Sequence, residues 1–225
     1  DTWSADYSTY TGGKVCALER AKMLQGLAAG SQCVTTSDLY HAPLPADLDG
    51  STPPPAGSPN YLMALGNDPN TLLFWKFKVD WTTPANTTFT GPVAIATNAF
   101  DVPCPATPRT CVPQASTANR LDAMGDRLMS RLAYRNFGDH ESLVVSHAVD
   151  AGARTGMRWY ELRSPGTTPA IFQQGTHAPD SHFRWAGSAA MDWMGNLAMG
   201  YSVSSAAMNP QVRYAARLAG DPAGV

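Results

Sequence analysis

Charge is what this sequence has least of. Of its 225 residues only 15% are Asp, Glu, Lys or Arg, against roughly 25% in an ordinary soluble domain. Sixteen basic residues face eighteen acidic ones for a net charge of -2. No Lys/Arg block occurs, so the footprint of a nucleic-acid binder is missing. No apolar run approaches the roughly 20 residues that a membrane-spanning helix needs. Several chemistries lack their motifs too. There is no G-x-S-x-G nucleophile elbow, no H-E-x-x-H zinc motif or calcium loop, and no C-x-x-C pair. No leader is visible: Asp1-Thr2-Trp3 reads like the inside of a domain, so the chain is expected to be a mature or trimmed product. Neither a metal nor a cofactor is implied.

What is present points to an exported protein. The four cysteines fall as two local pairs, Cys16 with Cys33 and Cys104 with Cys111, and disulfides are the expected state of both. The second pair would close a Pro-rich loop, CPATPRTC, with little core of its own. Two such staples imply an oxidising compartment, hence a secreted, extracellular or cell-surface location. An N-T-T sequon at Asn86 is compatible with glycosylation there.

Between 183 and 218 the chain reads FRWAGSAAMDWMGNLAMGYSVSSAAMNPQVRYAARL, three β-type runs joined by tight turns. In its centre Asp192, Gly195 and Asn196 form a D-x-x-G-N turn, in which the carboxylate caps backbone N–H groups and the glycine takes a positive φ. Weaker versions recur upstream. KVCALER (14–20), LLFWKFKV (72–79), GMRWYELR (156–163) and QVRYAARL (211–218) superpose, each suited to a strand with one solvated face. Further runs flank them at 7–11, 33–40, 61–66, 91–97, 131–137, 141–149, 170–176, 184–192 and 196–203. Antiparallel four-stranded meanders recurring roughly every 50–60 residues are the pattern of propeller blades.

The expected architecture is therefore a single all-β, propeller-like domain over 1–225. Its units are 1–43, 44–103, 127–180 and 181–225, with 104–126 as a disulfide-closed loop and connection. Residues 19–29 (ERAKMLQGLAA) form the one short helical insertion, stopped at Gly30, and 119–129 is a second, weaker helical candidate. Strand counting gives about fourteen, with the first and last units incomplete, so a larger ring, further blades or a homo-oligomer is expected to cover the open edges.

The stretch DRLMSRLAYRNFGDHESLVVSHAVDAG (126–152), with RWYELR (158–163), QQGTHAPD (173–180) and RWAGSAAMDWMGNLAMGYSVSS (184–205), resembles secreted bacterial propeller proteins of sialidase-like or BNR-repeat type. KVCALERAKML (14–24) and ADLDGSTPPPAGSPNY (46–61) are similar to the same group. The resemblance implies a propeller on an exported protein, with no agreed activity. The run 188–196 departs from the Asp-box of that family in its Ser and Gly spacing, and Asp192 is read as a turn residue.

Glycoside hydrolysis needs two carboxylates across the scissile bond, or a Tyr nucleophile assisted by a Glu, with arginines to clamp an acidic substrate. Candidate catalytic residues are Glu141, Glu161, Tyr160 and Asp139; candidate ligand-binding residues are Arg131, Arg135, Arg158, Arg184 and His140, with Arg213 beside them. On strands such residues are more often cross-strand pairs. The polar cluster at 136–142, with His147 beyond it, matches no metal spacing. Trp75, Trp159, Tyr160, Trp185 and Trp193 could stack on sugars if exposed, although most belong to packing. The leading expectation is a non-catalytic binding or structural module that recognises a glycan or another envelope protein. The alternative is a sialidase-like glycoside hydrolase.

Overall fold

The computed structural model describes residues 2–105 and 109–225. Asp1, the first residue of the expected unit 1–43, and residues 106–108 of the expected 104–126 loop lie outside the described residues. The chain is all-β. Its strands are β1 (Thr2–Trp3), β2 (Tyr10–Gly12), β3 (Lys14–Leu18), β4 (Ser31–Thr35), β5 (Leu44–Leu48), β6 (Asn60–Leu65), β7 (Thr71–Lys78), β8 (Thr88–Ala96), β9 (Thr110–Val112) and β10 (Leu121–Asp122). They continue as β11 (Met129–Asn136), β12 (Glu141–Asp150), β13 (Thr155–Arg163), β14 (Ala170–His177), β15 (Phe183–Met191), β16 (Leu197–Ser205) and β17 (Met208–Arg217). Among the described residues there are seventeen strands where about fourteen were expected, and β1, β5, β9 and β10 are the ones that lie outside the runs picked out in the sequence.

Two antiparallel meanders, β5–β8 and β11–β14, carry the core. They do not stand as separate blades. A parallel pairing of Leu132, Ala133 and Tyr134 on β11 with Ala46, Asp47 and Leu48 on β5 fuses them edge to edge, giving one curled sheet in the order β14-β13-β12-β11-β5-β6-β7-β8. The cause is local. Only Leu44 and Pro45 of β5 pair with β6, so the second half of the strand is left to reach β11. The far edges approach as the sheet curls: Asn98, just past β8, donates its N–H to Gln174 Oε1 on β14 at 2.9 Å.

Strand alternation sorts side chains between the two faces of the sheet. The concave face buries Met63, Phe74, Leu132, Leu143, Tyr160 and Leu162, among others. Across the back of β12 and β13, Val144, Met157 and Trp159 meet the three-stranded sheet β15-β16-β17 through Met191, Met199 and Val203. Across the back of β6 and β7, Leu62, Leu73 and Trp75 meet the β3–β4 hairpin through Val15. That hairpin is bridged by Cys16–Cys33, two residues directly opposite in the ladder. Cys104 and Cys111 are bonded as well.

The helical insertion is shorter than expected. Helix α1 covers only Arg20–Met23 and buries no residue, and Met23, Leu24 and Leu27 are all exposed. Propensity favoured 19–29, but a segment with no packed face lacks the tertiary support that sustains most helices. The candidate at 119–129 is not helical; it supplies β10, which pairs with β9, and the start of β11.

The concave core sets stability. Leu143 is fully buried and Val93, on β8, is 53% exposed. Leu143→Ala is expected to cost about 2–5 kcal/mol and Val93→Ala less than about 0.5 kcal/mol, measured by urea unfolding of the oxidised protein.

Candidate functional site

The sheet separates the two glutamates proposed for catalysis. Glu141 opens β12 on the concave side, where its Oε1 accepts the Tyr134 hydroxyl at 2.5 Å. Burial, then the bond to Glu141, pushes the Tyr134 phenol far above its ordinary range, and burial also raises that of neighbouring Tyr61. A nucleophilic phenol needs the opposite shift. Glu161 points to the convex side and is completely buried. It accepts Ser142 Oγ at 2.8 Å, Arg163 Nε at 2.8 Å and Gln173 Nε2 at 2.6 Å. Arg163 balances its charge and lies over the Phe172 ring at 3.4 Å. Two carboxylates on opposite faces cannot flank one glycosidic bond.

Tyr160 belongs to a buried pair. Its ring stacks on His147 at 5.6 Å with planes 6° apart, and Phe100 meets the imidazole edge-on at 4.7 Å. His147 Nδ1 lies 3.1 Å from the Ala148 carbonyl, an acceptor only, so that nitrogen carries the proton. Nε2 then accepts the Tyr160 hydroxyl at 2.9 Å. Burial, with a smaller contribution from Arg158, drives the imidazole pKa down to about 3, and burial pushes the phenol up to about 12. Both groups are held neutral.

The arginines do not converge. Arg131 pairs with Asp47 and Asp49. Arg184, almost fully buried, grips Asp180 with two bonds of 2.8 Å and holds that carboxyl well below the usual range. Arg158 donates to Thr176 Oγ1 at 2.6 Å, and Arg213 to Gln211 Oε1 at 3.0 Å. Asp139 and His140 occupy the β11–β12 turn, bonded to each other at 2.7 Å, with the imidazole stacked on Phe137. Among the described residues no group of three or more His, Cys, Asp or Glu side chains is placed to hold a metal ion.

One cleft does gather candidates. Arg135, Asn136 and Phe137 at the end of β11 face Gly50, Ser51 and Thr52 on one side and Trp193 on the other, around a cavity of about 420 Å³. Arg135 is fixed by its Nε bond to the Met191 carbonyl at 2.9 Å. Gly50 has φ +80°, and a Cβ there would come within 2.5 Å of Arg135 Nη1, so only glycine leaves the guanidinium its place. Trp193 is carried on the D-x-x-G-N turn. Asp192 Oδ1 accepts the N–H groups of Met194 (2.8 Å) and Asn196 (3.0 Å), Oδ2 accepts Asn196 Nδ2 at 2.7 Å, and Gly195 has φ +84°. Trp75, Trp159, Tyr160 and Trp185 are buried, whereas Trp193 is 77% exposed. Phe137 belongs to the polar cluster at 136–142 singled out in the sequence, whereas Gly50 was passed over, its place after an Asp-rich run being the available signal.

Comparisons of the chain with known protein families, with curated proteins and with solved structures give no match. Among the described residues no helix is long and apolar enough to cross a membrane.

The buried imidazole makes stability depend on pH. Between the ordinary value of 6.5 and about 3 the unfolded chain binds a proton on His147 that the folded chain does not, so its contribution is complete above pH 6.5 and is lost as pH falls. Unfolding free energy is expected to drop by up to about 1.4 kcal/mol per pH unit in that window. Denaturant titrations of the protein and of His147→Gln at several pH values check this, since the variant should show a shallower slope.

Proposed function

We propose that the chain is a secreted or cell-surface binding module that recognises glycans at the cleft between Trp193 and Arg135. The observation that carries this reading is the large exposed indole on a turn braced by three bonds to Asp192. Exposing an indole costs solvation unless a partner covers it, and a rigid turn presents it at little entropic cost. A sugar ring offers an apolar C–H face for the indole and hydroxyls for its surroundings. Arg135, Asn136, Ser51 and Thr52 provide the polar groups around the aromatic wall, the composition expected of a site that fixes a polar ligand by a few contacts. The two disulfides are consistent with an extracellular setting.

The glycosidase alternative is less well supported. Glu161 is buried and saturated, Glu141 is tied to Tyr134, and the arginines hold separate partners. A relationship to BNR-repeat propellers is likewise our proposal. The recurring four-stranded meanders favour it, while their fusion through β5 and β11 gives a geometry unlike free-standing blades.

A glycan array followed by calorimetry on the best ligand tests the reading. Trp193→Ala is expected to weaken binding at least about tenfold, or about 1.4 kcal/mol, with an unchanged melting temperature because the side chain is exposed. Equal affinity of the variant would overturn the assignment of the cleft. Turnover of fluorogenic glycosides, abolished by Glu141→Gln or Glu161→Gln, would replace binding with catalysis.

A further inference from the structure

Strand β17 ends the sheet β15-β16-β17. It is ten residues long, and among the described residues β16 is the one strand paired with it. Val212 and Tyr214 are 85% and 82% exposed. They lie on the same face, with Ala216. Gln211, Arg213, Ala215 and Arg217 alternate on the other. Long, flat edges of this kind present unpaired backbone groups and are normally blunted or covered. Pro210 blunts only the start of the strand, and among the described residues no strand pairs with the outer edge of 211–217.

We propose that β17 pairs antiparallel with β17 of a second copy of this chain, about a two-fold axis through Tyr214, making a continuous six-stranded sheet. Charge selects the register. An axis through Tyr214 sets Tyr214 against its symmetry mate, Val212 against Ala216, Arg213 against Ala215, and Gln211 against Arg217. Each guanidinium then faces a neutral residue. Among the described residues Arg213 has no carboxylate partner; its side chain donates to Gln211 Oε1 and contacts Met208 Sδ. Arg217 donates to the Asp221 carbonyl. An axis through Arg213 would oppose two arginines directly, one through Ala215 would set Arg213 against Arg217, and one through Val212 would bring Pro210 into the ladder. Like charges directly opposite destabilise a sheet, and a proline cannot donate. The apposed Tyr214 rings join an aromatic contact to the new backbone bonds.

The register gives a sharp test with the protein itself. Residues directly opposite in an antiparallel pair have Cα atoms about 4.5–5.5 Å apart, within disulfide reach. Tyr214→Cys is expected to cross-link two copies on mild oxidation. Val212→Cys is not, because its own mate lies four residues along the strand, about 13 Å away. Sedimentation equilibrium over a concentration series is expected to show a reversible dimer, and Tyr214→Lys, which sets two ammonium groups across the axis, should raise its dissociation constant at least about tenfold. A monomer at every concentration, a dimer indifferent to Tyr214→Lys, or cross-linking through Val212→Cys in preference to Tyr214→Cys would each overturn the proposal.

Discussion

The short parallel seam between Ala46–Leu48 and Leu132–Tyr134 is the contact on which the rest of this fold depends. Parallel pairs are slightly weaker per residue than antiparallel ones, and this one spans three residues. It is reinforced by ions and by the backbone. Arg131 binds both Asp47 and Asp49, and the Asp49 N–H donates to the Tyr134 carbonyl at 2.7 Å. Without the seam there would be two meanders, each with an exposed apolar face. With it there is one curled sheet, and Phe74 and Met63 from one half share a core with Leu132 and Leu143 from the other.

The same curl explains why the polar residues that suggested chemistry are used internally. The central strands β6, β7 and β11–β13 send alternate side chains to a core on both faces, because apolar side chains pack on the concave side and the convex side is covered by β15–β17 and by the β3–β4 hairpin. A polar residue at such a position has to bring its partners with it. Glu161 has Ser142, Arg163 and Gln173; His147 has Tyr160 and a carbonyl. With those polar groups committed internally, the proposed binding site lies at the rim turns, where Trp193 and Arg135 line one cleft.

The strands with clear alternation were legible in the sequence. Run 156–163 lies within β13, runs 72–79 and 211–218 overrun β7 and β17 by one residue each, and the D-x-x-G-N turn bonds as its residue types dictate. β5 was not legible, since Pro45 and Asp47 interrupt its apolar pattern, and it is the strand that decides how the meanders join. At 19–29 good helical propensity met no surface to pack on, and a single turn resulted. The arginines look alike in sequence; only their long-range partners distinguish Arg131, held by Asp47, from Arg135, held by the Met191 carbonyl. Trp193 and Trp185 stand eight positions apart in one hairpin, yet one is 77% exposed and the other 7%. That difference arises from what packs above each of them, which no local pattern encodes.

The bridge between Cys16 and Cys33 joins opposed residues in the middle of the β3–β4 ladder, a hairpin whose tip carries Arg20, Lys22 and exposed Met23, Leu24 and Leu27. A backbone cut at that tip by a trypsin-like protease would leave both fragments covalently joined, with the β3–β4 ladder and its seat on Trp75 and Leu62 undisturbed. The tip is thus mechanically uncoupled from the sheet beneath it. Its sequence is free to drift, to be trimmed or to be exchanged for another peptide, while the hairpin that carries it stays in place.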